Sequence, residues 1–283
     1  MTSGTGEPTR DVQRKPIIVG YDGSDDARKA ILWAARYAAV ADAPLVVVHA
    51  WIWPYFTEKL GPVAGIEDSG LRREARRIVA EGHDLAVGAE PGLQVRTHLI
   101  IGFPAGMLSR LSAGASLLVV GTRGLGGFAG LLIGSVSFHL AASASCPVVV
   151  VRDARPVHDV IVVGVDGSPE SERAVGVAGE IAATLRKSVH LLHVRQAQRG
   201  RGSRGRAQAA ADDAPDVPLE FPGVVVTRES AVASSVPGLI VQRAHAAACV
   251  VLGAKGNNTL GARLGSTVHA VLQHAEGNVV VVR

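Results

Sequence analysis

Two stretches of this chain have the residue types and spacing to hold an anion. In the first, Gly121-Thr122-Arg123-Gly124 is followed by nine residues and then Gly134-Ser135; in the second, Gly253-Ala254-Lys255-Gly256 is followed by eight and then Gly265-Ser266. Glycines let the backbone turn sharply and bring its N–H groups close to an anion. A Gly-Ser pair opening a helix adds that helix's unpaired first N–H groups, and Ser135 adds a hydroxyl donor that can also cap the helix. Arg123 and Lys255 supply a full positive charge at matching places. Upstream, Gly20-Tyr21-Asp22-Gly23-Ser24 and Gly164-Val165-Asp166-Gly167-Ser168 each set a carboxylate just beyond an apolar run. A carboxylate repels phosphates, so Asp22 and Asp166 belong at the other end of the ligand, accepting hydrogen bonds from ribose hydroxyls or a base amine. An anion cradle facing such an acceptor suits a nucleoside polyphosphate. Nothing in this chemistry selects adenine.

These residues need elements to position them, and the hydrophobic pattern provides them. Pro16 to Gly20 reads as a strand, and Ser24 can cap a helix from Asp25 to Ala41 whose apolar side is Ala27, Ala30, Ile31, Ala34, Ala35 and Ala38. Strands follow at Leu45–Ala50, Val95–Ile101, Leu117–Val120 and Val148–Val151, separated by helices at Leu71–Val87, Pro104–Ala113 and Ser135–Ser143. Alternating strands and helices imply an α/β fold with a parallel sheet covered on both faces. Right-handed crossovers then favour a doubly wound five-stranded sheet of order 3-2-1-4-5, in which the winding reverses between strands one and four. Ligands bind at the carboxyl ends of strands at such a switch point, where both unusual loops lie.

The same order of parts occurs twice. Ile161 to Ser168 repeats Ile17 to Ser24, and the closing run Pro147 to Arg152 returns as Asn278 to Arg283. The division expected is a disordered tail over 1–14, a first domain over 15–153, a linker over 154–158, and a second domain over 159–283. With 283 residues, 47% of them hydrophobic, the chain is long enough for two cores of about 130 residues each. Cys146 and Cys249 lie in or beside apolar runs and read as buried reduced thiols. No apolar run approaches a membrane span, and Met1 to Gln13 lacks the apolar core of a signal peptide, so a cytoplasmic location without membrane contact is expected. A net charge of +4 permits anionic small molecules but does not argue for nucleic acid.

Other patterns are weaker. Gly124-Leu125-Gly126-Gly127-Phe128-Ala129 matches the dinucleotide fingerprint, but Leu131-Leu132-Ile133 separates its glycines from the next helix; no Gly-Lys-Ser or Gly-Lys-Thr occurs. His49 and His193 end equivalent strands and read as satisfied strand-end histidines. Without an acidic metal cluster near the loops or a nucleophile–base pair, hydrolysis of a bound nucleotide is expected to be slow at most.

The arrangement from Gly121 to Ser135, the opening Val-Gly-x-Asp-Gly-Ser and the closing Cys146-Pro147-Val148-Val149-Val150 resemble the universal stress protein family in its tandem form. The resemblance covers nearly the whole chain. It implies two flavodoxin-like (Rossmann-like) domains that bind ATP, with or without Mg2+, in a stress-response regulator; the alternatives are an interaction module with empty sites or a weak ATPase. It also implies an intrachain pseudo-dimer through the closing valine strands and further homodimerisation. By position, Asp22 and the backbone at Ala50 contact the nucleoside, while Gly121, Gly124, Gly134, Ser135 and the backbone of Val136 hold the phosphates, with Gly20, Thr122 and Arg123 beside them. The second set is Gly164, Asp166, Val194, Gly253, Lys255, Gly256, Gly265, Ser266 and Thr267.

The second repeat departs from the first. Asp166 to Gly253 is twelve residues shorter than Asp22 to Gly121, and Arg195 to Pro218 has no sustained apolar period, so the second helix there is expected to be short, displaced or absent. The arginine-glycine run in that stretch has no interleaved aromatic residue and reads as a solvated loop rather than a nucleic-acid contact.

Overall fold

The computed structural model describes residues 14–51, 70–125, 132–197, 221–256 and 264–283. In the first repeat these form β1 (Ile17–Gly20), α1 (Asp25–Ala41), β2 (Leu45–Trp51), α2 (Gly70–Ala89), β3 (Val95–Ile101), α3 (Pro104–Leu111), β4 (Leu117–Gly121), α4 (Ser135–Ser143) and β5 (Val148–Val151). The second holds β6 (Val160–Val165), α5 (Pro169–Leu185), β7 (Ser188–Gln196), β8 (Val226–Ala233), α6 (Val236–Ala244), β9 (Cys249–Gly253), α7 (Ser266–His274) and β10 (Asn278–Val282). The stretch 195–218, where the second helix of the second repeat is expected to be short, displaced or absent, lies outside the described residues from 198 on, as does the expected tail over 1–14 apart from Arg14. The third helix ends two residues before its expected limit, at Leu111, and a single 3-10 turn follows.

Local chemistry fixes the helix beside each first strand. Ser24 accepts from the Ala27 N–H (3.3 Å) and Ser168 from the Ser171 N–H (3.2 Å), so each serine caps its helix. Asp42 and Arg186 close the same two helices in the left-handed conformation, at φ 50° and 53°. The stripe of α1 expected to face the sheet is buried in full, together with Trp33.

Each repeat has the strand order expected, but the two sheets are one. The order is β3-β2-β1-β4-β5-β10-β9-β6-β7-β8, parallel within each half and antiparallel where β5 meets β10, with Val148, Val149 and Val150 opposite Val281, Val280 and Val279. Each valine run is buried on both faces, so neither could remain a solvent-facing edge. One apolar cluster lies under α1, α2 and α5 and another under α3, α4, α6 and α7; both draw residues from the two repeats.

The seam is also closed by polar groups. Asn278 is buried, accepts from the Arg152 and Asp153 N–H groups (2.7 and 2.9 Å) and donates to the Asp153 carbonyl (2.9 Å). The arginines ending the two repeats cross it reciprocally: Arg152 donates to the Leu272 carbonyl in the last turn of α7 (2.5 Å), and Arg283 to Ala142 in the last turn of α4 (2.8 Å). Those carbonyls carry the helices' partial negative charge. Burial holds the Arg152 guanidinium down to about 10. Phe138 and His269, at matching places in α4 and α7, meet edge to face at 5.0 Å.

Replacing Asn278 by alanine leaves two part-buried N–H groups and one carbonyl without this partner. Asn278→Ala should therefore destabilise the protein by about 2–4 kcal/mol, read as a lowered midpoint in chemical denaturation. A change within experimental error would show that the seam does not depend on this side chain.

Candidate functional site

Strand β1 lies between β2 and β4, so the loops leaving β1 and β4 emerge side by side where the winding reverses. Two close approaches define this place. A Cβ on Gly121 would stand 2.5 Å from the Asp26 carbonyl carbon and 2.8 Å from the Ala27 nitrogen, so only glycine lets the end of β4 meet the first turn of α1. Gly253 meets Glu170 of α5 in the same way, at 2.7 Å. The backbone of Gly121 is thus committed to packing, a role not visible in the loop spacing. A Cβ on Gly20 would press on Leu108 (3.0 Å), and one on Gly164 on Leu252 (2.5 Å), so these two glycines also admit neighbours.

The second approach involves the carboxylates. A Cβ on Gly124 would clash with Oδ2 of Asp22, and one on Gly256 with Oδ2 of Asp166. Asp22 accepts from the Ser24 N–H through Oδ1 (3.0 Å) and from the Leu125 N–H through Oδ2 (3.0 Å). The carboxylate placed by sequence at the far end of a ligand therefore rests against the glycine turn. Asp166 accepts from the Ser168 N–H (3.0 Å) and its hydroxyl (2.6 Å).

The Gly-Ser pair adopts a helix start. Gly134 donates to the Thr122 carbonyl (2.7 Å) and Gly265 to the Ala254 carbonyl (2.8 Å), tying each helix start to its glycine turn. The N-cap of α4 is Gly134, not Ser135 as the sequence suggested, and it makes no side-chain cap bond; Gly265 caps α7 likewise. Glycine has no side chain to satisfy the following N–H groups, and the N–H groups of a first helical turn have no intrahelical acceptor. Ser135 and Ser266 are exposed, while Val136 and Thr267 are half-buried. Ser137, unmarked by the sequence, donates to the Gly121 carbonyl (2.7 Å) and ties α4 to the end of β4. Its counterpart Val268 cannot do so.

Charge is arranged differently in the two repeats. Asp26 accepts from the Thr122 hydroxyl and lies 3.5 Å from the Arg123 guanidinium and 3.2 Å from Lys29. Burial pulls its carboxyl up, but Thr122, Lys29 and Arg123 outweigh that and hold it below the ordinary carboxylate range. In the second repeat Ala254 replaces Thr122, and Glu170 pairs instead with Arg173 at 3.0 Å. The Lys255 carbonyl faces the Ser168 hydroxyl at 3.5 Å, as that of Arg123 faces Ser24 at 3.2 Å.

Ala50 and Val194 lie near the carboxyl ends of β2 and β7, beside these loops. Next to Ala50, His49 is buried with Nδ1 2.8 Å from the Tyr21 carbonyl oxygen, a satisfied strand-end histidine. Tyr21 donates its hydroxyl to Glu81 (2.7 Å); burial and that carboxylate push its phenol up to about 12. Both cysteines are buried thiols, raised by burial to about 11 for Cys146 and about 12 for Cys249. Among the described residues no three His, Cys, Asp or Glu side chains gather to hold a metal ion. No described helix is long and apolar enough to cross a membrane. The loop tips 126–131 and 257–263, with most of the dinucleotide-like stretch, and the arginine-glycine run beyond 197 lie outside the described residues.

Comparison with known proteins agrees with this architecture. The model of the universal stress protein family matches twice, over residues 13–152 and 158–283. A universal stress protein of Mycobacterium tuberculosis H37Rv is 34% identical over 94% of this chain and 96% of its own length. One from Mycolicibacterium smegmatis is 31% identical over 94% and 96%. In three dimensions the chain resembles a universal stress protein from Archaeoglobus fulgidus with a TM-score of 0.70, at 18% identity over 96% of this chain and 99% of that one.

The packing role of Gly121 gives a direct test. Gly121→Ala should cost about 2–3 kcal/mol, because its contact is helix backbone that cannot swing aside. Gly114→Ala, where a Cβ meets nothing within 4 Å, should change stability little. Equal denaturation midpoints for the two variants would refute the close-approach argument.

Proposed function

The chain belongs to the universal stress protein family, and from that premise we propose that it binds ATP at the β1/β4 switch point of its first repeat and acts as a nucleotide-dependent regulator. The observation that carries this reading is the carboxylate seated on the second loop glycine, Asp22 on Gly124, with its duplicate, Asp166 on Gly256. Each brings a hydrogen-bond acceptor, a bare glycine backbone and a helix start with no side-chain cap into one place. In this reading Asp22 accepts from ribose hydroxyls, exchanging the Leu125 N–H for ligand donors, and the backbone near Ala50 flanks the nucleoside. The N–H groups of Gly124, Ser135 and Val136 face the phosphates, with the Ser135 hydroxyl and the Arg123 guanidinium beside them. Gly121, Gly134 and Thr122 position these groups. The reading holds with or without Mg2+ on the phosphates.

The second site is the weaker one in this reading. Lys255, Gly256, Gly265, Ser266 and Thr267 retain the cradle, but the Asp26–Thr122 bond that braces the first glycine turn has no counterpart there, because Ala254 has no hydroxyl. The two repeats, with limits at 15–153 and 159–283 and a linker over 154–158, act as an intrachain pseudo-dimer in the cytoplasm and associate further as a homodimer. ATP exchanging the Asp22–Leu125 bond alters the exposed loop surface that partners read. Regulation rather than turnover is the output.

The experiment is mass spectrometry of small molecules released from the purified full chain, followed by calorimetric titration with ATP. One or two ATP per chain are expected. Asp22→Ala should weaken the stronger site about tenfold or more, and Asp166→Ala should leave that site unchanged. No retained nucleotide, together with no heat of binding at millimolar ATP, would leave the interaction-module alternative standing.

A further inference from the structure

A solvent-open groove of about 940 Å³ lies away from the switch point, between α1, α2 and the segment that joins the two repeats. Its volume falls within the range of small-molecule sites. The apolar part of its wall comes from Leu32 on α1 and from Ala80, Leu85 and Ala89 on α2. Gly88 continues that wall, and a Cβ built there meets nothing within 4 Å, so the backbone faces open space.

The charged groups around the groove are unequally satisfied. Glu81 already accepts from Tyr21 and Arg28 and lies 3.4 Å from Arg77, whose guanidinium also grips Glu74. Asp84 is turned to solvent beside His83, and Asp153 accepts the Arg155 N–H (2.8 Å). Arg36 and Arg155 differ. Arg36 donates to the Ala154 carbonyl (3.0 Å), and no described carboxylate lies within ion-pairing distance of either guanidinium. Burial first, and the positive charge of Arg155 second, hold Arg36 below the ordinary guanidinium range, with Glu90 pulling the other way to a smaller degree. Glu81, Asp84 and Asp153 share the same wall, but neither Arg36 nor Arg155 is ion-paired to a described carboxylate, which leaves both guanidiniums available to an anion.

We propose that this groove is a second binding site, for an amphipathic monoanion whose carboxylate lies between Arg36 and Arg155 and whose apolar body rests on Leu32, Leu85 and Ala89. Guanidinium–carboxylate bonds supply the orientation and burial of the apolar body the affinity. One wall is the connector between the repeats, so the ligand braces the first repeat against that segment. The site is independent of the nucleotide site, sharing none of its residues.

The test uses the full chain and octanoate as probe, with binding followed by the methyl NMR signals of Ala80, Leu85 and Ala89. Octanoate should shift these signals saturably below about 10 mM. Arg36→Gln and Arg155→Gln should each weaken it about tenfold, and 1-octanol, lacking the charge, should bind about tenfold less tightly than the acid. Gly88→Trp should fill the groove and abolish the shifts while the far-UV circular dichroism is unchanged. Signals that do not move with octanoate would overturn the proposal, as would equal affinity for octanoate and octanol or binding indifferent to the arginine substitutions.

Discussion

Everything at the switch point depends on how closely the end of β4 approaches the first turn of α1. The missing side chain of Gly121 sets that distance, and Gly253 sets it again against α5. Once the two backbones are pressed together, Asp26 reaches the Thr122 hydroxyl and the Arg123 guanidinium, and Asp22 comes to rest on Gly124. The glycine turn is then held from below by α1 and from the side by α4, through the Gly134–Thr122 and Ser137–Gly121 bonds. A turn fixed on two sides in this way has its backbone direction set by the fold itself.

The seam between the repeats follows a different logic. Two runs of buried valines give non-directional apolar contact, which alone would tolerate a slip in register. Asn278 and the reciprocal pair Arg152 and Arg283 remove that freedom, because each must find particular carbonyls or N–H groups across the seam. Burying Asn278 and the Arg152 guanidinium without those partners would be costly. The polar groups therefore select one alignment of a surface whose adhesion is apolar.

Most of the fold was legible in the sequence because its signals are local. A capping serine, an alanine stripe at helical spacing and β-branched runs bounded by glycine gave α1, β3, α4 and β5 to the residue. The joined sheet was not visible as geometry, since a valine run buried by helices and one buried by another strand look alike. In the site, the residue types were legible and several of their roles were not. Gly121 looked like an anion-binding glycine, yet its tightest neighbour is ninety-five positions away on α1. Gly134 took the cap expected of Ser135, and nothing in the local pattern marked Asp26 as the brace of Thr122. The one available hint, an acid two residues beyond each capping serine, becomes meaningful only when the helix is packed against β4.

The reversal of strand direction between β5 and β10 has a consequence for communication. Strands run one way in the first half of the sheet and the other way in the second, so the two switch points open on opposite rims. Five strand spacings separate β1 from β6, about 24 Å, which exceeds the span of one nucleotide. The molecule is in this sense double-ended, with one pair of switch-point loops at each rim. Among the described residues the two ends are joined by the valine seam, the polar bonds that cross it and the helices packed over it.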